Sequence, residues 1–257
     1  MTTSRPPMSD DVHVHGVTIS RPDGRVWADV TTAWSAEVLA MLEDHGVEAL
    51  GLGADSEVKD DRGLAGLERL TPLRVLHLDW ARVPAIPEAA LQRLEDLSVI
   101  GRSGHKISVE SIPRLRSLEY RPGRVVGALA ELPDLEAVVT RGMPEGGFGA
   151  FDACAALRVV RMNGRGVTTL ACDTPPSAVV SVILSGIALS TLDGIESLPV
   201  INDLTVEGGR AAASLTLDLA PLRSAPSLRV FAASGYGAYE AVDSVEGKLE
   251  GLYLGDR

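Results

Sequence analysis

The sequence predicts an α/β solenoid, in which a curved parallel β-sheet is backed by short helical or irregular segments and preceded by an N-terminal cap. Three observations lead to this prediction. A six-residue pattern, apolar-x-x-apolar-x-apolar, returns about every 21 residues along most of the chain. Proline often precedes the pattern, and glycine often follows it. A short fixed period indicates a stack of small repeats rather than a globule with a single centre.

The pattern places apolar residues at positions one, four and six of each repeat, as in Leu73, Leu76 and Leu78. Its second half alternates with a period of two, as a strand with one buried face does. One repeat cannot bury its apolar face alone, so stacked repeats are expected to share one parallel sheet. The ten predicted repeats begin at Val47, Leu73, Leu94, Leu115, Leu135, Leu157, Val180, Ile201, Leu228 and Leu249.

Proline and glycine recur in phase with the pattern. Proline ends a preceding helix and sets an extended approach to the strand. It stands one or two residues before the repeat at Pro72, Pro113, Pro133, Pro199 and Pro226. Glycine suits the sharp turn after the strand. It is the eighth residue of the repeat at Gly101, Gly142, Gly164, Gly208 and Gly235.

Residues 1–46 are predicted to form the N-terminal cap, and residues 47–257 the repeats. Val12, Val14 and residues 17–19 are predicted to form one strand of a hairpin, and residues 26–30 its partner across the turn at residues 21–24. An amphipathic helix is predicted over 36–45, with Ser35 as its N-cap and Gly46 as its C-terminal stop. Such a cap is expected because the first repeat would otherwise expose its core.

No cap follows the last repeat in the sequence, whose final core residue is Leu254. An open edge strand is therefore expected there, and such a strand offers a site for pairing or homodimerisation. The alternative is that inward side chains, together with Asp256 and Arg257, protect the edge.

Composition limits the classes of function. The net charge is −11, with −7 carried by residues 1–72, −1 by residues 73–200 and −3 by residues 201–257. This acidity argues against nucleic-acid binding. No apolar run reaches 18 residues and the N-terminus lacks a secretory signal, so no membrane association is expected and the predicted location is cytoplasmic. Two cysteines, Cys154 and Cys172, do not make a disulfide scaffold.

The repeat resembles the leucine-rich repeat, in particular short bacterial versions that begin Leu-Pro-x-Leu, as at Leu132, Pro133 and Leu135. The resemblance covers residues 47–254 and implies a horseshoe with the sheet on its concave face. The chain departs from the family at position nine, where none of the ten repeats has the usual asparagine or cysteine. Backbone groups or water are therefore expected to satisfy the turn.

On a concave sheet, repeat positions three, five and seven are expected to be exposed. They include three arginines, which we interpret as a basic patch next to Glu119 and flanked by acidic residues. Mixed charge of this kind suits a protein partner, although it is also common on an ordinary solvated sheet. The candidate partner-binding residues are His77, Asp79, Asp96, Glu119, Arg121, Arg141, Arg161, Asn163, Asp203 and Glu207.

The sequence gives no positive sign of catalysis, a cofactor or a metal. No Gly-x-Ser-x-Gly nucleophile motif is present, and Cys154 lies in an apolar context typical of a structural thiol. His13 and His15 alternate on a possible strand, but metal sites usually need three or four ligands. We therefore expect a non-catalytic protein-binding module. Two alternatives stay open: an immunity-like or inhibitory protein that neutralises a basic effector, and a structural protein that assembles through its C-terminal edge.

Overall fold

The computed structural model describes residues 12–22, 24–56, 63–145, 147–151, 153–164, 167, 169–171 and 176–255. Predictions made for the first eleven residues, for Cys172 and for Asp256 and Arg257 lie outside the described residues. The chain forms two compact units, Met1–Leu115 and Arg116–Arg257. The cap boundary predicted at residues 46 and 47 stays a prediction.

The N-terminal unit is built on a mostly parallel sheet. Its strands are β1 (Val12–Val14), β2 (Val17–Ser20), β3 (Trp27–Val30), β4 (Ala49–Leu52), β5 (Val75–Leu78), β6 (Arg82–Val83), β7 (Asp96–Val99), β8 (Ser103–Gly104) and β9 (Ile107–Ser108). The main strands run in the order β1-β2-β3-β4-β5-β7, antiparallel from β1 to β3 and parallel from β3 to β7. The short strands β6 and β8 pair in parallel.

Among the described residues of this unit there are also two α-helices and three 3₁₀ turns. Helix α1 (Ala36–Asp44) begins where the pattern predicts, because the Ser35 side chain accepts a hydrogen bond from the Val38 amide at 3.3 Å. Helix α2 (Glu88–Leu91) is a single turn. The 3₁₀ turns are Ala54–Ser56, Leu67–Arg69 and Val109–Ser111.

The strands of the C-terminal unit are β10 (Ser117–Tyr120), β11 (Val125–Val126), β12 (Ala137–Thr140), β13 (Val159–Asn163), β14 (Ser181–Ile187), β15 (Asp203–Gly208), β16 (Thr216–Asp218), β17 (Val230–Ser234), β18 (Ala238–Glu240) and β19 (Gly251–Gly255). In the described part of this unit, seven of them run in parallel in the order β10-β12-β13-β14-β15-β17-β19. Strands β16 and β18 pair separately. The 3₁₀ turns are Leu129–Glu131, Gly147–Phe151, Ile195–Ser197, Ala212–Ser214, Ala220–Ser224 and Val242–Ser244.

Both units are therefore dominated by parallel strands with few helices, which confirms the prediction of a mixed α/β chain with a mostly parallel sheet. The core lies on the side of the sheet that positions four and six face. In the C-terminal unit, six successive strands place a fully buried apolar residue at position four, and Phe231 is the largest of them. These residues are Leu118, Val138, Val160, Val182, Leu204 and Phe231.

One repeat begins a residue earlier than the sequence predicts. The predicted start at Val180 makes Leu184 an exposed residue, whereas Leu184 is fully buried and Ile183 is half-buried on the opposite side. The start is Val179, which is also fully buried. Adjacent apolar residues make both registers plausible in the sequence, and a slip of one residue turns every side chain of a strand to the other face.

Candidate protein-binding surface

The outward face of the C-terminal unit consists of the strand residues whose side chains point away from the core. The parallel register aligns these residues in rows across the sheet. The central row contains Glu119, Val139, Arg161, Ile183, Thr205, Ala232 and Tyr253. All seven are half-buried or exposed.

Two of the predicted arginines meet at one end of this face. Arg141 donates from Nε and Nη2 to a single oxygen, Oε1 of Glu119, at 2.8 and 2.6 Å. Arg121 donates from Nη1 to the Arg141 carbonyl oxygen at 3.3 Å. These interactions hold both guanidinium groups against the sheet. The ion pair is 43% exposed on the arginine side and 26% on the glutamate side, so it contributes little to folding stability.

Arg161 lies one strand further along and projects from the middle of the face. It is exposed, and its neighbours in the row are Val139 and Ile183. Among the described residues no carboxylate forms an ion pair with Arg161. Asn163, two residues later, is half-buried and aligned with Ser185. Arg161 is thus the arginine of the predicted patch best placed to contact a partner.

Strand β15 supplies the acidic side of the same face. Asp203 and Glu207 are both exposed, at the beginning and near the end of the strand. Glu207 accepts a hydrogen bond from the Ser185 hydroxyl at 2.6 Å. The basic and acidic positions of this face are therefore separated by one strand, β14, which presents Ile183 between them.

The remaining predicted residues belong to the N-terminal unit. His77 and Asp96 lie on neighbouring strands and are joined by a contact of 3.2 Å between Nε2 and Oδ1. Asp79 follows strand β5 and is exposed. The sequence also predicts that these acidic residues flank the arginines; that arrangement stays a prediction.

The sequence reasoning missed the apolar part of the outward face. Tyr253 on β19 is 64% exposed, and Val139 and Ile183 are half-buried in the same row. Searching positions three, five and seven for apolar as well as charged side chains would have found Val139 and Tyr253. Ile183 was hidden by the register error in β14.

The other chemically notable groups lie away from this face. Burial raises the pKa of Tyr120 and of Tyr236 to about 12. The Cys154 side chain is buried. An open cavity of about 480 Å³ is lined by Arg223, Tyr239, Ala241, Val242, Asp243 and Ser244. Within the described ranges, no group of three or more His, Cys, Asp or Glu side chains is placed to hold a metal ion.

Comparison with protein-family models gives no match for the chain, and comparison with curated proteins gives none either. In the part of the chain that the structure describes, no helix has the length and apolar character needed to cross a membrane.

Proposed function

We propose that this chain is a non-catalytic protein-binding module whose partner docks on the outward face of the C-terminal unit. In this proposal the repeats form a leucine-rich-repeat-like horseshoe in the cytoplasm, with this face on its concave side. The observation that carries the proposal is the central row of that face. It combines exposed Arg161 and Tyr253 with half-buried Val139 and Ile183.

The chemistry of this row suits a protein partner. Tyrosine and arginine are the residue types that most often carry binding energy at protein interfaces. Val139 and Ile183 flank Arg161, so a partner that buries the arginine also removes two apolar side chains from water. Asp203 and Glu207 carry negative charge two strands away from the positive charge of Arg161. This separation of opposite charges favours one orientation of the partner.

The size of the face is also informative. Seven strands span six spacings of about 4.8 Å, and five residues of a strand span about 16 Å. The flat area is therefore roughly 450 Å², compared with about 800 Å² buried by each partner in a standard interface. Residues at the ends of the strands, such as Arg141 and Glu207, are needed to complete the contact.

The experiment compares two single substitutions of the same kind. Val139→Asp puts a carboxylate in the central row of the face, next to Arg161, whereas Val200→Asp puts one at an apolar residue that is 37% exposed and outside the strands. Each immobilised variant is used to capture protein from an extract of the source cells. We expect the captured protein to be lost from Val139→Asp, with an affinity at least about tenfold weaker, and to be retained by Val200→Asp.

Equal capture by both variants would show that the partner binds elsewhere. Failure of the unmodified protein to capture any protein, together with turnover of a small substrate, would overturn the whole proposal. Arg161→Glu supplies a further variant, since reversing its charge is expected to weaken binding without changing the core.

A second candidate function is supported by the charge of the N-terminal unit. The outward positions on β3, β4, β5 and β7, including the residue that follows each strand, contain Asp29, Asp79 and Asp96 but neither lysine nor arginine. Such a surface favours a basic partner, as an inhibitor or immunity-like protein for a basic effector would require. Binding that weakens steeply between about 50 and about 500 mM salt would support this candidate, because salt screens the attraction between exposed charges. Affinity independent of salt would exclude it.

A further inference from the structure

A compact group of polar and aromatic side chains lies on the outward face of the N-terminal unit. Strands β3, β4, β5 and β7 are aligned so that two rows run across them. One row contains Trp27, Ala49, Val75 and Asp96, and the other contains Asp29, Gly51, His77 and Ser98. We call Trp27, Asp29, Gly51, His77 and Asp96 the Trp27 site.

Gly51 creates the central feature of the Trp27 site. It is the one residue of its row without a side chain, and it lies between Asp29 and His77 on the neighbouring strands. A Cβ atom at Gly51 would lie 2.4 Å from Asp29 Oδ1 and 3.8 Å from Trp27 Nε1. The Asp29 carboxylate therefore leans over the Gly51 backbone, an arrangement that a larger residue would prevent.

His77 and Asp96 lie on the other side of Gly51, on β5 and β7. The rings of Trp27 and His77 meet edge to face, with centroids 5.5 Å apart and planes at 71°. His77 Nε2 lies 3.2 Å from Asp96 Oδ1. The Trp27 site thus joins an indole, an imidazole and two carboxylates on a rigid sheet.

The Trp27 site carries negative charge that its own surface does not neutralise. Asp29 is exposed, and no lysine or arginine in the described residues forms an ion pair with it. Trp27 is half-buried, so part of its side chain remains accessible. A carboxylate beside an accessible aromatic ring attracts a cation by ion pairing and by the quadrupole of the ring together.

We propose that the Trp27 site binds the guanidinium group of an arginine side chain presented by a partner protein. A guanidinium is planar, so it stacks on the indole while its N–H groups donate to the Asp29 carboxylate. An ammonium group is compact and more strongly hydrated, and it gains less from the ring. Asp29 is exposed on the sheet surface, which fits a side chain delivered by another protein surface. The choice of a protein partner rests on the proposed function, whereas binding of the guanidinium itself does not.

The test uses the whole chain and three blocked tripeptides, Gly-Arg-Gly, Gly-Lys-Gly and Gly-citrulline-Gly. The readout is the ¹H–¹⁵N signal of the Trp27 indole, assigned by its disappearance in Trp27→Phe. We expect a saturable shift with the arginine peptide and at least tenfold weaker binding of the neutral citrulline peptide, because the two differ mainly in charge. The lysine peptide is expected to bind with intermediate affinity.

Two substitutions and one control complete the test. Asp29→Asn keeps the shape of the side chain and is expected to weaken arginine-peptide binding at least about fivefold. Asp96→Asn is expected to weaken arginine-peptide binding less. This second variant also tests the site if Asp29→Asn does not fold. Glu110→Gln removes an exposed carboxylate from a 3₁₀ turn of the same unit and is expected to change nothing.

Equal response to the citrulline or lysine peptide, no saturable shift, or unchanged binding by both aspartate variants would overturn the inference. These outcomes are separate from failure of the proposed function, which is tested on the C-terminal unit by Val139→Asp. If the arginine peptide binds the Trp27 site and Val139→Asp still captures the partner, the interface lies on the N-terminal unit and not on the C-terminal unit.

Discussion

Replacing Thr140 by valine is expected to stabilise the protein. Thr140 is fully buried on β12, aligned with Tyr120 on one side and Met162 on the other. Its hydroxyl oxygen has no hydrogen-bond partner within the described part of the chain. A buried hydroxyl left without a partner costs about 1–3 kcal/mol. Valine has nearly the same shape and the same branching at Cβ, so packing and strand propensity are retained.

We therefore expect Thr140→Val to raise the free energy of unfolding by about 1–2 kcal/mol. The assay is urea unfolding followed by circular dichroism, in which the midpoint should rise with little change in slope. Thr205→Val is the matched control, because Thr205 is half-buried on the outward face, and its effect should lie within about 0.5 kcal/mol of zero. A midpoint for Thr140→Val equal to or below that of the unmodified protein would refute the reasoning.

Two further predictions concern Lys248 and Tyr120. Lys248 Nζ donates to three carbonyl oxygens of the preceding repeat, at 2.6, 2.6 and 2.9 Å, so Lys248→Met should lower the free energy of unfolding by about 1 kcal/mol. Lys106→Met, at an exposed lysine, should change it by less than about 0.5 kcal/mol. The folded-state pKa of Tyr120 is raised from 10.0 to about 12, so the stability it contributes is present below pH 10 and is lost as the pH rises toward 12. Between pH 10 and 12 the free energy of unfolding of Tyr120→Phe should therefore fall less steeply than that of the unmodified protein. An identical pH dependence of the two would contradict the raised pKa of Tyr120.

Lys248 occupies a repeat position whose structural role, donation to backbone carbonyl oxygens, the sequence pattern did not reveal. Lys248 and Arg93 each stand directly before a repeat. Arg93 Nη2 donates to the Leu70 carbonyl at 3.4 Å, and Lys248 Nζ donates to the equivalent Ala225 carbonyl. A basic side chain here donates to carbonyl oxygens at the end of the preceding 3₁₀ turn. Because only some repeats carry a basic residue there, the sequence alone did not indicate the role.

The repeat also carries a second pattern, at position two. Position two of the repeat alternates in charge over six repeats, through Glu48, Arg74, Glu95, Arg116, Glu136 and Arg158. The structure pairs Arg74 with Glu95 at 3.8 Å and Arg116 with Glu136 at 2.5 Å. These exposed pairs are individually weak. Within each unit the alternating order places opposite charges next to each other in successive repeats, where like charges would repel.

The Trp27 site shows most clearly why a site can escape sequence reasoning. The pattern indicates that residues 26–30 pair with the preceding strand, as β3 does with β2. It does not indicate that β3 also pairs in parallel with β4 and so extends the sheet of the first repeats. Only that second pairing places Trp27 and Asp29 beside Gly51 and His77, which lie more than twenty residues away in the chain.

The sequence by itself determined where most strands lie, because the alternation of apolar side chains along a strand is a local property that repeats about every 21 residues. It also determined which charged residues leave the core. The tertiary structure decided which of those residues meet, pairing Arg141 with Glu119 and His77 with Asp96. It also decided that Ile183, and not Leu184, lies on the outward face. The physical reason is that lateral contacts depend on the register between strands, and that register depends on how connecting segments of unequal length fold back against the sheet.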